Sequence, residues 1–270
     1  MPRPPSSGYR PRVRLILIVV GALWGAWSGL LLPRAAHRLS VDPEEPWNGA
    51  CPDGHPITGR FDGWLGRAHC TTDTTDTSGA HAKSTRCGPY GPRTPAASTA
   101  TALICAALAA ATGPRPELVV WLLAAPVGVL LALVDHRVHR LPDVLTLPLT
   151  AALLALLGIA AALPADAGSW LTALLGGLAL GAAYLVLYLI NPSGMGFGDV
   201  KLALGLGTAL GWYGWPVLVT GAFAGILYGA VYGLGMVALR RAGRKTAIPL
   251  GPFMLGGAFT GLVLGAFAVA

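Results

Sequence analysis

The chain has 270 residues, of which 12 are acidic and 19 are Lys or Arg, so 11% carry charge, where an ordinary soluble domain carries roughly 25%. With 54% hydrophobic residues, 37 glycines and a mean hydropathy of +0.60, a water-soluble globule and a disordered chain are both excluded. The composition predicts an all-α, polytopic membrane protein, since glycine is more frequent in membrane helices than in soluble ones. The formal charge of +7 does not point to nucleic acid, because the bases lie in short runs between apolar stretches, as in cytoplasmic loops. The partner implied by composition is the lipid bilayer.

Apolar stretches near the ~17-residue floor for a membrane span fall at about 14–32, 97–113, 117–134, 144–163, 170–190, 201–214, 215–239 and 250–270, which predicts about eight transmembrane helices. The first follows Arg10, Arg12 and Arg14 and runs into Pro33-Arg34 without a convincing small-residue cleavage site, so it reads as an uncleaved anchor. The second is alanine-rich, and the sixth is short and glycine-rich. Between the first two lies a polar segment, 33–96, holding Asp42, Glu44, Glu45, Asp53, Asp62, Asp73 and Asp76. The expected organisation is therefore a tail and first helix over 1–32, a polar cytoplasmic loop over 33–96, and a membrane domain over 97–270.

From residue 118 onward the acids are Asp135, Asp143, Asp166 and Asp199, and the bases are Arg137, Arg140, Lys201, Arg240, Arg241, Arg244 and Lys245. Those bases fall in alternate loops, 135–143, 191–201 and 240–249, which the positive-inside rule places in the cytoplasm. Counting back through eight spans puts 33–96 inside and the arginine-bearing N-terminal tail outside, against that tail's own preference. The same parity puts Asp135, at the end of the third span, and Asp199, at the opening of the sixth, at one cytoplasmic face.

A carboxylate at a membrane boundary costs a few kcal/mol unless it is hydrated or paired. Singly, each aspartate is as well explained as a helix-end cap or an arginine partner. Together they are the requirement for aspartyl chemistry: two carboxyls sharing one water hold one proton between them, one removing a proton from the water and the other polarising a carbonyl. Glycines beside Asp199 would let a substrate backbone approach closely.

The run Gly196-Phe197-Gly198-Asp199-Val200-Lys201-Leu202 resembles the GxGD signature of the type IV prepilin peptidases. Asp135, followed by a basic stretch and Leu141-Pro142-Asp143, is similar to that family's first aspartate motif, and Ile248-Pro249-Leu250-Gly251-Pro252-Phe253 to a further family segment before the last span. The resemblance covers about 117–270. It implies that Asp135 and Asp199 are the catalytic pair of an aspartic endopeptidase in the bacterial cytoplasmic membrane. Its substrate would be a prepilin or pseudopilin precursor with a basic leader and an apolar helix, cut at the cytoplasmic face without a cofactor. Gly196, Gly198, Lys201 and Asp143 match motif positions. From the residues alone, Lys201 reads equally as a snorkelling interfacial lysine and Asp143 as an N-cap of the fourth span; His136 and His139 read as solvated loop residues.

Many family members carry two CxxC pairs in the first cytoplasmic loop. Here Cys51, Cys70, Cys87 and Cys105 form none, so no metal site is expected, although Cys51, Cys70 and Cys87 with His55, His69 or His81 remain a conceivable set. Cys105 reads as a small core residue. The eroded cysteine pattern also counts against the S-adenosylmethionine-dependent N-methylation found in some members. Gly221, Gly225, Gly229 and Gly233 recur every fourth residue and read as an intramolecular packing stripe. The competing functions are a proton-coupled transporter using the same carboxylates, and a scaffold whose loop 33–96 binds a partner.

Overall fold

The computed structural model describes residues 9–42, 45–59, 61–70, 89–192, 194–239 and 249–269. Arg3, Asp73, Asp76, His81, Cys87, Arg240, Arg241, Arg244, Lys245 and Ile248, which entered the topology, metal and motif readings, lie outside them. The chain is an all-α, multi-pass membrane protein whose described residues form eight helices: α1 (Tyr9–Leu39), α2 (Thr94–Thr112), α3 (Glu117–Val138), α4 (Asp143–Ala161), α5 (Trp170–Ile190), α6 (Phe197–Gly211), α7 (Trp215–Ala238) and α8 (Gly251–Ala268). Seven are long and apolar enough to cross a bilayer. The eighth, α6, has 15 residues and is about 22 Å long, short of the ~30 Å hydrocarbon core. Almost every α6 side chain from Asp199 to Gly211 is buried, so α6 is a central strut sheathed by α4, α5, α7 and α8.

Two helix ends differ from the sequence reading. α1 does not stop before Pro33 but continues to Leu39, because Ala35, Ala36 and Leu39 bury against Leu130 and Val134 of α3. That packing offsets the backbone hydrogen bond lost at an interior proline. α6 starts at Phe197 rather than 201, which places Asp199 inside its first turn.

Membrane helices gain little from apolar burial against one another, so close van der Waals approach through small residues holds them together. A Cβ on Gly29 would come within 2.7 Å of Ser98 Cα, and one on Gly176 within 2.7 Å of the Gly207 carbonyl, so α1–α2 and α5–α6 meet backbone to backbone. Gly225 and Gly229 of the fourfold stripe face Phe253 and Met254 of α8, while Gly221 sits between Leu210 of α6 and Gly257 of α8.

The described part of the polar segment folds over the projecting end of α1. Arg34 donates to the carbonyls of Arg67 (2.9 Å) and Thr58 (3.0 Å), and the Arg38 guanidinium lies 4.3 Å over the Trp64 ring. Cys51, Ile57, Ala68 and Tyr90 form a small core, edged by His37, whose ring stands 4.9 Å from that of Tyr90. Because this end of α1 packs on the Leu130–Val134 turn of α3, the loop sits at the same end of the bundle as Asp135. The other end is closed by Arg115, which donates to the terminal carbonyls Thr112 (2.6 Å) and Ala266 (2.8 Å) and faces buried Glu117 at 3.7 Å.

Candidate active site

At the loop-bearing end, the last turn of α3 and the first turns of α4, α6 and α8 converge. Asp135 is buried there, and its Oδ2 accepts the backbone N–H of Gly251 at 2.9 Å, a bond between residues 116 apart in the chain. Gly251 opens α8, so its N–H has no partner within that helix and is free to bind a carboxylate. The site also requires glycine, since a Cβ would stand 2.8 Å from Asp135 Oδ2. Leaving α3, the chain turns through His139, which adopts the left-handed conformation (φ 50°) and donates its N–H to the Asp135 carbonyl.

Asp199 is likewise buried, and its Oδ2 accepts the N–H of Gly196 at 3.2 Å. This is a local N-capping contact, so part of what Asp199 does is to hold its own helix start. Asp135 ends α3 and Asp199 opens α6 at this same end of the bundle, as the span parity requires. Among the described residues neither has a Lys or Arg partner at ion-pair distance. The arginine-partner explanation therefore finds no support, and each aspartate keeps one oxygen, Oδ1, outside these two bonds.

The motif residues tie the Asp199 helix to the α3–α4 connection and to the start of α4. Gly198 packs on Leu141, where a Cβ would fall 2.9 Å from that of Leu141. Lys201 Nζ donates to Asp143 Oδ2 at 2.6 Å while lying 4.9 Å over the Phe197 ring. Asp143 is therefore not the N-cap of α4. Pro142 holds that position, and the Asp143 carboxylate turns outward to Lys201 instead. His136 and His139 are exposed, as expected of solvated residues. One participant went unassigned in the sequence: Gly251 was visible only as part of the Pro249–Phe253 segment.

Residues 121–234, which contain both aspartates and both motif glycines, match the profile described as the type IV leader peptidase family. This stretch of the chain is similar to that family. Over 182 residues the chain is 34% identical to the prepilin leader peptidase/N-methyltransferase of Aeromonas hydrophila, covering 62% of this chain and 56% of that protein. It is 37% identical over 124 residues to the protein of that name from Stutzerimonas stutzeri (45% and 40%), and 36% over 126 residues to that from Pseudomonas aeruginosa (46% and 42%). The chain thus spans about half the length of the curated relatives it matches. No solved structure matches it.

The loop holds a second constellation. The expectation of no metal site rested on the missing CxxC spacing, yet folding brings Cys51, His55 and Cys70 together as the one group of possible metal ligands among the described residues. Cys51 Sγ lies 3.6 Å from His55 Nδ1 and 3.7 Å from Cys70 Sγ. Tetrahedral zinc with Zn–S ≈ 2.3 Å and Zn–N ≈ 2.0–2.1 Å sets donor separations of about 3.6 Å and 3.8 Å, so these residues fit zinc. Burial pushes the Cys51 thiol up, but hydrogen bonds to His55, to the backbone of His55 and Asp53 and to Cys70 outweigh it and bring it down to about 7. Such a thiol is half ionised near neutral pH and ready to ligate. Cys105, buried in α2, is a core residue, as expected.

Proposed function

We propose that the protein is an aspartic endopeptidase that removes the leader from prepilin or pseudopilin precursors at the cytoplasmic face of the bacterial inner membrane, with Asp135 and Asp199 as its catalytic pair. The observation that carries this is the placement of two buried carboxyls at one end of the bundle, one from the end of α3 and one from the start of α6, each fixed through Oδ2 by a backbone N–H and neither at ion-pair distance from a Lys or Arg among the described residues. A water held between the two remaining oxygens loses a proton to whichever carboxyl is ionised. The protonated partner donates to the scissile carbonyl oxygen, and the hydroxide equivalent adds to its carbon. The proton taken from water then passes to the amide nitrogen as the C–N bond breaks, and the gem-diol hydroxyl returns its proton to the other carboxylate, releasing the leader as a carboxylic acid and the trimmed chain as an amine and restoring the pair. Gly196, Gly198, Gly251 and the Asp143–Lys201 ion pair position the carboxylates without entering the chemistry.

In this reading 97–270 is the peptidase unit, 1–32 its anchor and 33–96 a cytoplasmic loop in which Cys51, His55 and Cys70 would hold a structural zinc. The relatives' name joins peptidase to N-methyltransferase; the geometry described supports the first activity. A proton-coupled transporter would carry its acids near the membrane midplane on broken helices, whereas Asp135 and Asp199 stand at helix ends, and no relative supports that reading. The test is co-expression of a precursor with Asp135→Asn or Asp199→Asn. Uncleaved precursor should accumulate although the variant is inserted, and normal processing by either variant would refute the assignment.

A further inference from the structure

Beyond Asp135 the bundle is not filled. A cavity of about 250 Å³ runs between α3 and α8, its lining almost wholly apolar. One end lies against the site: Ala132 is the lining residue one turn before Asp135, and Pro252 follows Gly251, whose N–H holds Asp135. From there it follows Gly128 and Ala124 along α3 as far as Trp121, about 16 Å at 1.5 Å per residue and roughly half the hydrocarbon thickness. Ala124, Gly128 and Ala132 repeat every fourth residue and so line up on one face of α3. Small residues in that register admit close approach of another apolar segment; here they line the cavity, with Leu255 of α8 standing 3.4 Å from where a Gly128 Cβ would lie. α6, the helix of Asp199, lines the same cavity through Leu206 and Ala209.

A second cavity of about 250 Å³ lies between α3 and α4 and shares Ala124, Leu149 and Leu153 with the first. It is also lined by Leu123 and Val144, which are exposed on the outside of the bundle. The second cavity thus lies between the first and the exposed flank of α3 and α4, with Ala124, Leu149 and Leu153 as the wall between them.

Resting on the peptidase reading above, we propose that this α3–α8 cavity is the specificity subsite for the substrate's apolar segment just beyond the scissile bond. Ala124, Gly128, Ala132 and Phe259 then set which side chains are accepted. A substrate whose scissile carbonyl sits at Asp135 and Asp199, and whose following residues are apolar, must lay those residues down α3 and away from the aqueous face. The volume takes a few side chains, not a whole helix, so the segment enters with one face inward and its backbone along the α3–α4 flank.

The test uses the full chain in membranes with two substrates, the intact precursor and a precursor truncated shortly after the scissile bond. Ala124→Phe and Ala132→Phe should raise KM for the intact precursor at least tenfold and leave the rate on the truncated one unchanged. Phe259→Ala, which enlarges the space, should accept a precursor carrying a bulkier apolar residue that the unaltered protein rejects. Gly128→Ala gives a milder narrowing should the Phe variants fail to insert, and is expected to raise KM two- to fivefold. Unchanged KM in inserted variants, equal defects on both substrates, or loss of a co-purified lipid with no change in cleavage would each overturn the proposal. If Asp135→Asn and Asp199→Asn are inactive while KM stays unmoved, the subsite alone fails. If either Asn variant cleaves, it is the peptidase reading that fails.

Discussion

Gly251→Ala isolates the contact that aims Asp135. The glycine is not in a left-handed conformation, so alanine fits the backbone, and at a helix start it gains a little from propensity. What it cannot do is leave Asp135 in place. The new Cβ would lie 2.8 Å from Oδ2 and 3.1 Å from Cγ, whereas a relaxed C···O contact is about 3.3–3.6 Å, so the carboxylate must retreat by roughly half an ångström. That stretches the 2.9 Å bond from the Gly251 N–H, and a hydrogen bond to a charged group is worth about 1.5–3 kcal/mol. Since a misplacement of about 1 Å costs on the order of 100-fold in rate, kcat should fall about 10- to 100-fold with KM little changed. The assay is single-turnover cleavage of purified precursor in reconstituted vesicles, with thermal unfolding in parallel. Gly235→Ala, whose Cβ would meet nothing within 4 Å, serves as the matched control. A Gly251→Ala enzyme with kcat within a factor of two of its parent would refute the claim that this bond positions the carboxylate.

The Asp143–Lys201 pair is short but partly exposed, with side-chain accessibilities of 59% and 20%, so Asp143→Asn and Lys201→Met should each cost under about 1 kcal/mol, with a double-mutant coupling no larger, and leave cleavage within tenfold; abolished cleavage by Asp143→Asn would move that residue into the chemistry. Elemental analysis should find about one zinc per chain, lost in Cys51→Ser and Cys70→Ser, with peptidase activity largely kept; absence of zinc from the parent protein would remove the loop site. In chelator-stripped protein, Cys51 should alkylate faster as pH rises through about 7, because the thiolate is the reactive form. A midpoint near 9 would show that the His55 and Cys70 contacts do not act on it.

Hydropathy located every helix because a membrane span is defined by a composition that a sliding window can read. Ends were less legible. Pro33-Arg34 looks like a stop, and only the burial of Ala35, Ala36 and Leu39 on α3 shows why the helix continues. Phe197 and Gly198 look like loop until Gly198 is seen packed on Leu141. The placement of Asp135 and Asp199 at one end of the bundle was legible because parity of crossings is a global constraint that local sequence carries. What completes it, the Gly251 N–H from 116 residues away, has no local signature. The loop ligands were hidden for the opposite reason: a fixed CxxC spacing was sought, whereas Cys51 and His55 meet across the turn that brings the Cys51 N–H to the His55 carbonyl at 2.9 Å, and Cys70 arrives from beyond it.

The most direct test of the central claim is kcat for precursor cleavage by Asp135→Asn, Asp199→Asn and the double variant, measured on inserted protein with the parent's thermal stability. Asn keeps the size and hydrogen-bonding capacity of Asp but can neither carry the charge nor exchange the proton. Because the two carboxyls act as one unit on one water, each single variant should fall by at least ~10³-fold and the double should be no worse than either. Near-parental turnover by one single variant, or losses that multiply in the double, would contradict the shared-water mechanism.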